Sequence, residues 1–173
     1  MTVQELDREI ILMLSNENPA SNNYQEQYSE FDPSIPEELL DGTQLTIEDR
    51  SYHFEGYLVY QLIDDQVSNA DLGDIEKARL IAQCDVQNDV LEIINYNRDQ
   101  TTGLITPSLM VQGTNQGIRH SFQVTEDAFA LGSTALINHR TYYFMVVAYG
   151  YNNYQGYDIV TGTGQDDVFK ASR

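Results

Sequence analysis

The chain has no tryptophan, a single cysteine, four prolines, three histidines and only nine Lys and Arg against 27 Asp and Glu among 173 residues. Each shortage excludes something. One Cys, Cys84, rules out an internal disulfide and any cysteine-built zinc cage. The histidines His53, His120 and His139 stand in no HxH or HExxH spacing, so the usual zinc signatures are missing. No apolar run reaches the roughly 20 residues needed to span a bilayer, and no basic-plus-apolar signal segment opens the chain. A net charge of −18 argues against nucleic acid and anionic membranes as partners, because both would repel it. No Gly-x-Ser-x-Gly elbow is present to hold a serine nucleophile on a strained turn. There is no internal repeat of 20–50 residues and no linker-like low-complexity run. Nothing singles out a catalytic pair, and the sequence reads as that of a non-enzyme.

What is present is acid, tyrosine and alternating strands. Residues 1–50 hold twelve acids and two bases, residues 51–99 ten and three, and residues 100–173 five and four. Apolar residues are interspersed throughout, so the charge reads as solvated loops and faces rather than a disordered tail. Period-two patterns between turn residues predict strands at 9–14, 53–62, 78–86, 90–95, 109–111, 118–125, 141–149 and 167–172. The turn residues at 87–89 suggest a hairpin joining 78–86 to 90–95, and those at 113–117 a second one. Helical signals are few: a capping-box spacing at Ser34-Ile35-Pro36-Glu37 with Gly42 as a stop, and a single turn at 71–77. Many strands and almost no helix indicate an all-β sandwich.

Two strands are apolar on both faces. In 141–149, eight of nine residues are apolar or aromatic, with Tyr142, Phe144, Val146 and Ala148 on one side and Tyr143, Met145, Val147 and Tyr149 on the other. In 53–62, Tyr57 and Val59 oppose Phe54, Leu58, Tyr60 and Leu62. Side by side in one sheet, they would expose an outer patch that a monomer rarely tolerates. The segment 62–117 is expected to fold back over it through Leu80, Ala82, Val90 and Ile94, with a neighbouring domain or subunit as the rival cover.

Candidate binding residues fall in two places. Asp64, Asp65, Asn69, Asp71 and Asp74 crowd eleven residues with oxygen donors of the kind a calcium ion needs. Asn95, Asn97 and Asp99 imitate the start of a calcium loop, but Gln100 and Thr106 stand where Gly and Glu are required. Tyr151, Asn152, Asn153, Tyr154 and Tyr157 form a Tyr/Asn-rich loop suited to stacking and amide hydrogen bonds, so a glycan or a peptide is the ligand such a loop would take. Cys84, alternating with Leu80 and Val86, reads as a buried inert thiol.

The run Leu136-Ile137-Asn138-His139-Arg140-Thr141-Tyr142-Tyr143-Phe144-Met145-Val146-Val147-Ala148 resembles the E–F corner and F strand of a fibronectin type III domain, an immunoglobulin-like sandwich. The resemblance assigns Tyr142 as a corner tyrosine, with Leu136, Phe144, Val146 and Ala148 as its inward partners. Gly56-Tyr57-Leu58-Val59-Tyr60 resembles that family's C strand, with Tyr57 and Val59 inward, and 9–14 resembles its B strand. It implies one enlarged fibronectin type III-like domain over 1–173, with insertions at 15–52 (between B and C) and 62–117 (between C and E). It also implies a non-catalytic structural, adhesive or spacer module of a secreted or cell-surface protein, partnered by neighbouring domains or subunits. The competing expectation is a carbohydrate- or calcium-dependent recognition domain, or an accessory domain of an extracellular hydrolase.

Overall fold

A computed structural model describes residues 1–171, and over them the fold is nearly all β. Ten strands follow in chain order: β1 (Thr2–Leu6), β2 (Glu9–Met13), β3 (Ser29–Phe31), β4 (Ser51–Leu62), β5 (Ala78–Asp85), β6 (Glu92–Arg98), β7 (Ile105–Gln112), β8 (Ser121–Val124), β9 (Tyr143–Tyr151) and β10 (Phe169–Ala171). They make three layers. The first is a sheet in the order β1-β2-β8. The second runs β10-β9-β4, and β4 pairs on its other edge with β5 over 56–62 and with β3 over 51–53. The third is the β6–β7 hairpin.

The core of the sandwich lies between the first two layers. Leu12, Phe122 and Val124 from one sheet meet Tyr57, Val59 and Cys84 from the other, with Leu136 closing one end. Burial in β8 alternates strictly, as a one-faced strand demands. In β4 nearly every residue is buried, because its second face is covered too. There Leu58 and Tyr149 pack under Ile93 and Val111 of the hairpin. Further along, Leu62, Tyr143 and Met145 pack under Val67 and Leu72. The outer patch is therefore closed by the chain's own 62–117 segment.

The covering residues differ from those expected. Of the four named for the role only Val90 takes it; Ala82 joins the inner core and Leu80 is 48% exposed. A bulge in the β4–β5 ladder explains this. Tyr60 pairs with Leu80 and Val59 with Ala82, so Ile81 is the extra residue and moves into the core while Leu80 turns out. A second bulge, between Phe54 and Gly56 in the β4–β9 ladder, carries Phe54 to the inner face, not the outer one.

Both expected hairpins are also replaced. β5 pairs with β4 and β6 with β7, while β8 crosses to β2. The turn that matters is 99–104. Asp99 accepts the Thr101 and Thr102 N–H groups on its carboxylate and the Gly103 N–H on its carbonyl, and Gly103 takes a left-handed φ of 70°. The segment 34–42 is not helical. Its two turns are too short to persist alone, and it closes instead as a tight loop, with the Glu38–Gln44 bridge and Asp32 rather than Glu37 bonding Ser34. Strand β1, wholly exposed, and the short β3 carry no periodic signal.

Candidate functional site

Leu136 and Tyr142 lie together at the entry to β9. Ile137 N–H donates to the Tyr142 hydroxyl at 2.9 Å, five residues upstream, and Leu136 is buried beneath it. Phe144, Val146 and Ala148 line the inner face with Tyr57 and Val59. A ring in the core with its hydroxyl tied to the entering backbone fixes where the chain crosses between sheets.

The tyrosine-rich loop is spread across different tasks. Tyr151 belongs to the outer core. Asn152 is buried, its amide donating to the Asp49 carbonyl at 2.9 Å and the Ser51 carbonyl at 2.6 Å, while its side-chain oxygen accepts from Tyr154 N–H. It staples the end of β9 to the start of β4. Tyr157 stacks on Tyr96 of the hairpin at 4.6 Å between centroids. Asn153 is exposed and Tyr154 half-buried.

The acidic stretch is engaged within its own turns. Asp64 accepts from Gln66 N–H, Asp65 from the Gln66 side chain and Asp74 from Glu76 N–H. Asn69 opens the 3-10 turn Asn69–Asp71. Asp71 receives both the backbone N–H and the hydroxyl of Ser68, and pairs with Lys77 at 2.5 Å. The lysine and these donors hold its carboxyl below the ordinary range. Among the described residues no three His, Cys, Asp or Glu side chains are grouped to hold a metal ion.

Two buried polar groups went unread in the sequence. Gln61 and Asp127, each 2% exposed, bond side chain to side chain at 2.7 Å. Gln61 also accepts from Ala128 N–H, and Asp127 pairs with Arg140 at 2.9 Å. Together they clamp the 125–130 loop to β4. The second group gathers Glu55, Asp85 and Tyr149. Asp85 receives the N–H groups of Thr114 and Asn115, so its charge is well solvated by backbone. Glu55 is 4% exposed and receives only the Asn88 amide; its second oxygen and the Tyr149 hydroxyl have no partner. Burial, against the Asn88 bond and with the Asp85 charge, pushes the Glu55 carboxyl up to about 7. The one available signal was a lone acid inside a strand that is apolar on both faces from Tyr57 to Tyr60. Gly56 beside it is required, since a Cβ there would collide with the Cys84 carbonyl oxygen and the Tyr149 hydroxyl.

Two cavities open between the sheets beside the part of β9 that β10 does not reach. One, of about 310 Å³, is lined by Leu14, Asn23, Tyr57, Val146 and Ala148. The other, of about 720 Å³, is lined by Val3, Ile10, Leu136, Tyr142 and Phe144. Met1 borders both. Among the described residues no helix is long and apolar enough to cross a membrane.

No protein-family model, curated protein or solved structure matches the chain.

Proposed function

We propose that the chain is an enlarged fibronectin type III-like module that works without catalysis, as a spacer, presenting or adhesive element of a secreted or cell-surface protein. Neighbouring domains or subunits would be its partners. The observation that carries this reading is the sealed outer face of the central sheet, with Leu58 and Tyr149 closed under Ile93 and Val111. A body packed on both sides of its middle sheet resists deformation in a way a two-layer sandwich with a wet face does not. Supporting the family reading are the strand orders β1-β2-β8 and β10-β9-β4-β5, which match the A-B-E and G-F-C-C′ arrangement of that family. The Tyr142 corner bond supports it as well. In this alignment β6 and β7 are the inserted hairpin between C′ and E.

A spacer must hold its length under tension. Single-molecule extension, with handles attached near Thr2 and Ala171, should give one main cooperative rupture that releases most of the chain's contour length. Gradual lengthening without a rupture would remove the mechanical reading.

A further inference from the structure

The edge of β9 is half used. Nine residues run from Tyr143 to Tyr151, yet β10 pairs only with Tyr149, Gly150 and Tyr151. Asn152 N–H donates to the Val168 carbonyl at 3.1 Å, which fixes the alternation. Even-numbered residues of β9 direct N–H and C=O toward β10, and odd-numbered ones toward β4. Phe144 and Val146 therefore aim backbone donors and acceptors at an edge that no described residue pairs with. Their side chains are only half-buried although they belong to the core.

The two cavities described above lie along this same edge, between the sheets. Met1, 53% exposed, borders both, and Val3, 46% exposed, lines the larger. Val3 lies opposite Leu12 in the β1–β2 ladder, so it faces the slit and not the outer surface. An unpaired ladder beside an apolar slit specifies its occupant closely. The backbone groups repeat every second residue, a spacing that only an extended chain matches. Alternate side chains of that chain would enter the slit, so these must be apolar. The others would face a molecule of net charge −18, which disfavours acidic residues and disfavours a second copy of this chain.

We propose that the β9 edge around Phe144 and Val146 is a docking site for an extended segment of another protein, added as a strand antiparallel to β9 in line with β10. The segment carries apolar residues at alternate positions and neutral or basic residues between them. This goes beyond the mechanical reading, and a rigid body without docking, or docking on a body that extends gradually, would separate the two.

The probe is a panel of fluorescent nine-residue peptides alternating valine, leucine or phenylalanine with threonine and lysine, titrated into the full chain by anisotropy. Saturable binding is expected, with amide exchange slowed about tenfold at Phe144 and Val146. Methylating alternate peptide nitrogens to remove the ladder donors should weaken binding about tenfold or more. Replacing the peptide lysines with glutamates should weaken it too, by a margin that shrinks with salt. Val3→Lys, at an exposed lip position where folding is not at stake, should weaken the lysine peptides. No saturable binding across the panel, indifference to N-methylation, or protection elsewhere would overturn the proposal. So would a concentration-dependent dimer, by sedimentation, that protects these same two amides.

Discussion

Glu55 is the residue whose chemistry fits its surroundings least. Its folded carboxyl titrates at about 7, raised by burial from an ordinary 4.5. The folded chain therefore keeps a proton that the unfolded chain has lost between pH 4.5 and 7. Stability must fall as pH rises through that window and level off above it. Glu55→Gln, which keeps shape and cannot ionise, should stabilise the protein at pH 8 by up to about 3 kcal/mol and change little at pH 4. Urea midpoints from pH 4 to pH 8 would show the gap opening between the two proteins. An offset of the same size at both ends would mean that the charge plays no part. Tyr149, whose hydroxyl shares this pocket, is likewise held above the ordinary phenol range by burial and by Glu55, so it does not ionise in the same window.

Among the elements, the β6–β7 hairpin sets this fold apart from a two-layer sandwich. Val111, on the face of the hairpin that covers the sheet, is 3% exposed, whereas Leu91, close by, is 56% exposed. Val111→Asp should destabilise by about 3 kcal/mol or more, since an unpaired carboxylate would be forced under the layer. Leu91→Asp should shift the midpoint by no more than about 0.5 kcal/mol. Equal effects in chemical denaturation would mean that the hairpin does not seal the sheet.

How far these elements could be read in advance follows from their surroundings. β4 and β9 were legible because residues such as Leu58, Val59, Val146 and Val147 are apolar on both faces, and that density has no reading other than a doubly covered strand. The need for a cover followed from the same residues. Which side chains provide it did not follow, because a single bulged residue, Ile81, reverses the facing of Leu80. Asn95 and Asp99 resembled ligands for an ion. Asn95 instead accepts the Val168 and Phe169 N–H groups that anchor β10, and Asp99 closes a turn. Oxygen-rich side chains satisfy backbone and cations by the same lone pairs, so local sequence does not distinguish the two roles. Strand β1 was invisible because Val3 and Leu6, its only apolar residues, are both about half exposed.

For the whole molecule, charge opposes compaction. A net excess of 18 negative charges on 173 residues is most repulsive at low ionic strength, where charges still act on one another out to about 30 Å at 0.01 M. Raising potassium chloride from 0.01 M to 0.3 M should therefore raise the melting temperature, by about 3 °C for each kcal/mol of repulsion removed. Scanning calorimetry at constant pH would check this, and a melting point that falls with salt would show that ion pairs such as Lys77–Asp71 outweigh the net repulsion.

The lone thiol gives this body an internal clock. Cys84 is 2% exposed between the two sheets, with its sulfur on the Arg119 carbonyl at 3.6 Å and burial keeping it protonated. A thiol reagent can reach it only when the sheets part, so the rate of its labelling counts those openings directly. With no second cysteine to confuse the signal, the native chain reports how often its own centre comes apart.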